Sequence, residues 1–203
     1  MLKRLFDIIA SALGLIILSP IIVIVAWQVK KKLGSPILFR QVRPGLNGKP
    51  FEMIKFRTMT DECDDNGRLL PDAERLTTFG RFLRSSSLDE LPELWNVFKG
   101  DMSIVGPRPL LMSYMKYFST EEMQRHNVRP GITGLAQVNG RNMIGWDSRL
   151  ALDVKYVKEH NLILDVKIIF RTIWQVIKRQ DIVLDMSTTT KRGFIEERRS
   201  RND

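Results

Sequence analysis

The feature that most constrains this chain is an uncharged stretch of membrane-crossing length with a proline in its middle. From Ile8 to Val29 no residue carries a charge; Lys3 and Arg4 precede the stretch, Lys30, Lys31 and Lys32 follow it, and Ser19-Pro20 lies near its centre. About 20 apolar residues at about 1.5 Å each cross a hydrocarbon core about 30 Å thick, so length alone fits a spanning helix. The flanks argue otherwise. Short segments rich in Lys and Arg stay on the cytoplasmic side, and this stretch carries them at both ends. A helix that enters one leaflet, turns at Pro20 and returns satisfies both observations. Pro20 has no N–H and crowds the carbonyl of Ile16, at a cost of about 3 kcal/mol in a straight helix. In hydrocarbon that carbonyl needs a donor, and the Ser19 hydroxyl is the nearest candidate. The alternative is a kinked helix that simply spans. A cleaved signal peptide fits poorly: the apolar run exceeds the usual length of about 7–15 residues, and Ala26-Trp27-Gln28-Val29 is a poor small-residue cleavage site.

Beyond this anchor, the rest of the 203 residues suffices for one domain with its own core. Net charge is +9, from 32 Lys and Arg against 23 Asp and Glu. Such an excess fits an anionic membrane surface, a phosphate-bearing substrate or nucleic acid. The single cysteine, Cys63, excludes an internal disulfide and agrees with a reducing compartment. Two histidines, His126 and His160, are too few for a His/Cys metal site and are expected to be structural.

The segments Ile37–Val42 and Phe51–Met59 read as strands, joined through the Asn47-Gly48 turn signal. Alternation places Phe51, Met53, Lys55 and Arg57 on one face of the second strand, so Lys55 and Arg57 should project together. Asp61–Asp72 reads as a polar loop and Thr78–Leu83 as a short helix or turn. Ser87 with Glu90 fits a capping box, before a stripe of Leu88, Leu91, Leu94, Trp95 and Phe98. Pro92 belongs in a first turn, so the regular helix is expected only from about Leu91. Asp89 and Glu90 then sit at or just before a helix N-terminus, where backbone N–H groups attract phosphates. Gly106-Pro107-Arg108-Pro109 is a stiff, non-helical loop in which each residue before a proline is pushed toward extended geometry. Glu121–Asn127 and Trp146–His160 read as helices, Arg129–Gly134 and Gly140–Asn142 as loops. Asp165 is expected to cap a helix running to Arg179, with Val166, Ile169, Phe170, Ile173, Trp174 and Ile177 on one side and Lys167, Arg171, Lys178 and Arg179 off it. A basic amphipathic helix of this kind suits the plane of lipid headgroups; packing on a core is the alternative. The expected fold class is α+β and mostly helical: a re-entrant, Pro-broken helix over residues 1–32, a catalytic domain at the membrane interface over 33–187 with a β-hairpin and interfacial amphipathic helices, and a charged, flexible tail over 188–203.

The common nucleotide loops and nucleophile elbows are missing: there is no G-x-x-x-x-G-K-[ST], no G-x-G-x-x-G and no G-x-S-x-G. What remains is a pair of carboxylates, Asp89 and Glu90, with Lys55, Arg57, Arg84, Arg108 and Arg141 on other segments. By itself an adjacent Asp-Glu pair is weak, because neighbouring helical residues point about 100° apart at 3.6 residues per turn. The surrounding words are far more specific. Leu88-Asp89-Glu90-Leu91-Pro92-Glu93-Leu94-Trp95-Asn96-Val97, running on through Lys99-Gly100-Asp101-Met102-Ser103-Ile104-Val105-Gly106-Pro107-Arg108-Pro109, closely resembles the bacterial sugar transferases, the monotopic phosphoglycosyl transferases. Lys55-Phe56-Arg57-Thr58-Met59 and Arg129-Pro130-Gly131-Ile132-Thr133-Gly134-Leu135 look like the family's other motifs, in the expected order. The resemblance covers nearly the whole chain and is to the minimal, single-domain form; within it, the chain is most similar to the N,N'-diacetylbacillosaminyl-1-phosphate transferases of protein N-glycosylation.

The resemblance implies an enzyme that passes a sugar 1-phosphate from a UDP-sugar to polyprenyl (undecaprenyl) phosphate, releasing UMP, with Mg2+ as cofactor and in two steps. Asp89 would be the nucleophile and carry the sugar phosphate; Glu90 would help hold Mg2+ or handle the proton or leaving group. Lys55, Arg57, Arg84, Arg108 and Arg141 are the candidates for phosphate and nucleotide contacts. Asp101 either caps a turn or supports the metal. Such chemistry agrees with the residues: a carboxylate can accept a phosphoryl group, phosphoryl transfer depends mainly on placed cations, and Mg2+ needs only one or two carboxylates. The expected partners are UDP-sugar, polyprenyl phosphate and membrane lipids, without nucleic acid, at the cytoplasmic face of the bacterial inner membrane. Three rivals remain: a tethered basic module that binds anionic lipid or nucleic acid without catalysis, a single-pass scaffold, and an enzyme in which the polyprenyl phosphate attacks directly with no covalent step.

Overall fold

The computed structural model describes residues 2–140, 144–178 and 193–199. Helix α1 (Leu2–Ile17) and helix α2 (Ser19–Leu33) are separated only by Leu18 and are bent by 63°. At the bend the Ser19 hydroxyl donates to the Ile16 carbonyl at 2.7 Å, so the carbonyl that Pro20 leaves without its N–H takes the donor expected from the sequence. No single described helix is long and apolar enough to cross a membrane, whereas the bent pair passes by length and composition.

The charges at the start of α1 serve the fold. Lys3 reaches the Asp165 carboxylate at 2.6 Å and the Val105 carbonyl at 3.0 Å. Arg4 donates to the Val97 and Phe98 carbonyls at 2.6 and 2.8 Å. Asp7 is buried and accepts from the Ser103 hydroxyl and the Ile104 N–H, both at 3.0 Å. At the other end of the pair, Val25, Val29 and Leu33 pack against Phe56 and Leu83. Both ends of the bend therefore abut one globular body, while Leu5, Ile9, Leu13 and Ile16 of α1, and Ile21, Val23, Ile24 and Trp27 of α2, stay exposed.

Strand β1 (Leu38–Pro44) pairs antiparallel with β2 (Pro50–Phe56), from Leu38 opposite Phe56 to Pro44 opposite Pro50. The connection is longer than a two-residue Asn-Gly turn: Leu46–Gly48 form a 3-10 turn with Asn47 at φ 56, a left-handed position that asparagine tolerates. Strand β2 ends at Phe56, three residues before the expected Met59. The segment to Pro71 is loop with an antiparallel bridge between exposed Cys63 and Leu69. Helices α3 (Asp72–Arg75), α4 (Thr78–Ser85) and α5 (Glu93–Lys99) follow.

Strand β3 (Ser103–Val105) pairs in parallel with β4 (Gly131–Thr133); the sequence pattern assigns no element to the first, and the second lies in a stretch that reads as loop. It is so short that no alternation develops, and it depends on glycine: a Cβ on Gly106 or Gly131 would lie 2.3 and 2.1 Å from backbone atoms of the opposite segment. Helices α6 (Thr120–Met123), α7 (Leu135–Val138), α8 (Trp146–Glu159), α9 (Leu162–Lys178) and α10 (Phe194–Arg199) complete the described chain. Asp165 does not cap α9. It lies inside the helix, 1% exposed, held by Lys3 and the Tyr156 hydroxyl; Asn161 accepts the Leu164 N–H instead. The outer side of α9 leaves Val166, Phe170, Ile173, Trp174 and Ile177 exposed, as the amphipathic pattern predicts, while Ile169 packs inward. Within the expected flexible tail, residues 193–199 include helix α10, because Phe194 has a seat: it is fully buried against Tyr114, Phe118 and Trp146. The rest of that tail lies outside the described residues.

Asp7→Ala leaves the Ser103 hydroxyl and the Ile104 N–H without their acceptor and is expected to lower stability by about 2–6 kcal/mol, given about 1–3 kcal/mol for each. Thermal unfolding checks this against Glu74→Ala, an exposed substitution expected to stay within about 0.5 kcal/mol.

Candidate active site

Asn96, fully buried on α5, fastens the hairpin to the helix. Its side-chain oxygen accepts the Ile54 N–H at 3.1 Å, and its amide donates to the Glu52 carbonyl at 2.7 Å and to Asp101 at 3.2 Å. This clamp sets the register of Lys55, the residue after Ile54. The Lys55 ammonium lies 2.7 Å from Glu90 and 3.0 Å from Glu93.

The expected capping box does not form. Ser87 sits at φ 56 and its side chain caps nothing. Leu88–Glu90 form a 3-10 turn closed by the Glu90 N–H on the Ser87 carbonyl, and α5 begins only at Glu93, after Pro92. Two constraints win over the capping pattern: proline stops a helix from running through it, and Leu88 and Leu91 are both drawn into the core with Phe56 and Leu83. The tight turn leaves Asp89 8% exposed, with Glu90 beside it.

The Pro-flanked loop brings in the second cation. Arg108 donates to the same Glu90 oxygen at 2.9 Å. Its backbone is held from behind: Arg125 donates to the Arg108 carbonyl at 2.8 Å while pairing with Asp153 at 2.7 Å, both side chains almost fully buried. Breaking such a pair by removing one partner typically costs about 3–5 kcal/mol.

These contacts divide three neighbouring carboxyls into different states. Burial pushes Asp89 up to about 6, helped by the charge of Glu90 and opposed by Lys55, Arg108 and Arg84. Burial would also raise Glu90, but Arg108 and Lys55 overcome it and hold the group at about 2. Burial pushes Glu93 up to about 7, against the pull of Lys55. Lys55 is raised: burial would lower it, and the charge of Glu90 prevails; Arg108 is raised first by Glu90. Glu90 is thus the fixed anion that holds two cations in place, and Asp89 is the more basic carboxyl beside it.

The structure gathers Asp89, Glu90, Lys55 and Arg108, with Arg84 close enough to act on the charge of Asp89 while its Nε donates to the Thr58 hydroxyl at 3.1 Å. Arg57 goes elsewhere. Because β2 stops at Phe56, alternation no longer governs its side chain, which donates to the Met59 and Ser35 carbonyls and pairs with Asp61 at 2.9 Å. Arg141 lies outside the described residues. Ser19 and Pro20 make the bend. Asp101 supports Asn96 and pairs with Lys99 at 2.7 Å. His126 is buried, and burial with neighbouring Arg125 pushes it down to about 4, as a neutral structural histidine.

Glu93, Asn96, Arg125 and Asp153 were not singled out from the sequence. Glu93 had a signal, since three residues after Glu90 is the same side of a helical turn. Arg125 and Asp153 had none: each reads as an ordinary charge on a helix.

Among the described residues no group of three His, Cys, Asp or Glu could form a protein-only metal cage. Mg2+ does not require one, being bound by one or two carboxylates together with substrate phosphates. Asp89 and Glu90 are the two carboxylates that could serve such an ion, with one oxygen of Glu90 already shared by Lys55 and Arg108.

The sequence profile of the bacterial sugar transferases matches residues 1–179. The chain is 51% identical over 191 residues to the uncharacterized sugar transferase EpsL of Bacillus subtilis (strain 168), covering 94% of this chain and 95% of that protein. It is 44% identical over 183 residues to a Klebsiella pneumoniae protein named UDP-glucose:undecaprenyl-phosphate glucose-1-phosphate transferase, covering 85% of this chain and 39% of that one. A protein of the same name from Caulobacter vibrioides is 40% identical over 183 residues, with 84% of this chain and 68% of the relative covered. The chain thus matches nearly all of EpsL but less than half of the Klebsiella protein.

In metal-free buffer, Arg108→Ala is expected to move the titration of Glu90 upward from about 2, because the largest influence opposing burial is gone. Carboxyl-carbon NMR across a pH series checks it; an unmoved Glu90 would show that Lys55 suffices.

Proposed function

The chain belongs to the bacterial sugar transferase family, and we propose that it transfers a sugar 1-phosphate from a UDP-sugar to polyprenyl phosphate, releasing UMP. The observation that carries this reading is the convergence of Lys55, Arg108 and Arg84, from three separate segments, on the adjacent carboxylates Asp89 and Glu90. A diphosphate needs cations against its oxygens, and a nucleophile that does not repel it.

An Asp89 oxygen attacks the phosphorus that bears the sugar; the bond from that phosphorus to the bridging oxygen breaks, and UMP leaves. The sugar phosphate is then held on Asp89 as an acyl phosphate. An oxygen of the polyprenyl phosphate attacks the same phosphorus, the acyl bond breaks, and the Asp89 carboxylate is regenerated with the polyprenyl-diphosphate sugar. The raised pKa of Asp89 favours this role, since a more basic carboxylate is a better nucleophile while still being ionised near neutrality. Glu90 keeps Lys55 and Arg108 at the height of the reacting phosphates. Magnesium, held by Asp89 and Glu90 with the substrate phosphates, would supply further neutralisation of the diphosphate charge.

The polyprenyl acceptor fixes the depth of the site: its phosphate lies among headgroups and its tail in hydrocarbon. The exposed apolar sides of α1 and α2 support a helix pair that enters one leaflet and returns, and the attachment of both its ends to one body favours re-entry over spanning. The exposed side of α9, with Lys167, Arg171 and Lys178 nearby, supports a helix lying flat at the same level. In this arrangement residues 1–32 form the anchor, 33–187 the catalytic part, and the enzyme works on the cytoplasmic face of the inner membrane. The sugar is the finer question. The motif resemblance favours N,N'-diacetylbacillosamine, in the first membrane step of protein glycosylation; glucose is the sugar in the names of the Klebsiella and Caulobacter relatives.

With UDP-sugar, Mg2+ and polyprenyl phosphate, the purified protein is expected to release UMP, and a panel of UDP-sugars ranks the donor. Asp89→Asn should abolish both turnover and the covalent adduct seen by intact mass, with unchanged thermal unfolding. Full turnover by this variant would exclude Asp89 as nucleophile and favour direct attack. For topology, cysteines at Leu2 and Lys31 in a Cys63→Ser background should both escape membrane-impermeant maleimide applied outside intact cells. Labelling of only one would establish a spanning helix.

A further inference from the structure

An apolar groove of about 640 Å3 runs between the second half of the bent helix pair and α4. Ile21, Ile24 and Val25 of α2 form one wall, Phe79, Phe82 and Leu83 of α4 the other, and Leu88 also lines it. Its polar lining comes from Gln28, Lys32 and Thr78. Resting on the functional reading above, we propose that this groove holds the isoprene units nearest the phosphate of the polyprenyl acceptor and thereby delivers that phosphate to Asp89.

Three observations favour this occupant. The first is continuity: Leu83 and Leu88 line the groove, and the next residues in the chain, Arg84 and Asp89, belong to the charged site. The groove wall is therefore continuous in sequence with Arg84 and with Asp89. The second is access. Ile21, Ile24 and Phe82 are 41%, 59% and 49% exposed, so the groove opens on the apolar surface that α2 presents, as suits a ligand arriving from hydrocarbon. The third is amphiphilic matching. Lys32 lies 4.6 Å from the centre of the Phe79 ring, placing a cation on a mostly apolar groove. An uncharged hydrocarbon would not need it, and a soluble anion would not need the aromatic walls. A phospholipid chain shares the hydrocarbon chemistry, so the test must separate the two.

Ile24→Trp narrows the groove at an exposed position remote in sequence from the charged cluster. Formation of the Asp89 adduct from UDP-sugar, with its stoichiometric release of UMP, is expected to be unchanged. The KM for polyprenyl phosphate should rise by about tenfold or more, equivalent to about 1.4 kcal/mol of lost binding. A normal adduct with an unchanged acceptor KM would overturn the groove assignment and leave the transferase reading intact. Absence of both adduct and turnover in the unsubstituted protein would instead strike the transferase reading. Independently of how Ile24→Trp folds, a photoreactive benzoyl-phenylalanine at Phe82 should crosslink to labelled polyprenyl phosphate in vesicles of phosphatidylethanolamine and phosphatidylglycerol, and unlabelled polyprenyl phosphate should compete. Equal competition by added phosphatidylglycerol would show a general lipid seat and overturn the proposal.

Discussion

Two adjacent carboxylates cannot both be ionised in a secluded place unless something positive stands close to them, and the described structure is arranged around meeting that requirement. Lys55 and Arg108 both settle on one oxygen of Glu90, and the result is an asymmetric pair: one anion locked, its neighbour left more basic. Neither cation comes from the segment that carries the carboxylates. Each is delivered by its own scaffold, Lys55 by a hairpin clamped through Asn96, Arg108 by a loop braced through Arg125 and Asp153. Such bracing has a physical reason. A cation on a loose tether pays conformational entropy each time it is used, whereas one whose backbone is pinned is in place before the charged ligand arrives.

The same logic joins chemistry to depth. In the proposed reaction Asp89 meets both a water-soluble donor and a lipid acceptor, which requires a site at a boundary. The groove between α2 and α4 and the turn that bears Asp89 share Leu88, so the apolar and ionic surfaces meet within one residue of chain. The exposed stacked pair Trp95 and Phe98, on the helix that follows the turn, adds aromatic surface of the type that favours the headgroup region.

Legibility from sequence followed the range of each interaction. The bend was readable because its cause is local: a missing N–H at Pro20 and a hydroxyl one residue earlier. The long amphipathic helix was readable from period, and the helix read over Trp146–His160 runs from Trp146 to Glu159. The 3-10 turn at Leu88–Glu90 was not, because the capping pattern of Ser87 and Glu90 was overruled by Pro92 and by core seats for Leu88 and Leu91 that only the tertiary fold supplies. Arg57 was misplaced for a related reason: alternation holds only while a strand lasts, and β2 ends one residue before it. The parallel pairing of Ser103–Val105 with Gly131–Thr133 left no pattern at all, being too short to alternate. Within the candidate site the members of long motifs were legible, but the braces behind them were not, since a buried arginine and an exposed one look alike in a string of letters.

The first turn of α1 gives the architecture a last property. Lys3, Arg4 and Asp7 are tied to Asp165, to the carbonyls that end α5 and to the start of β3. The bent helix pair is thereby tied at both of its ends into the same body that carries the candidate site. Trimming these helices away would strip partners from the interior of the remainder, so reducing the apolar surface of this protein calls for polar substitutions on their exposed faces, not for their deletion.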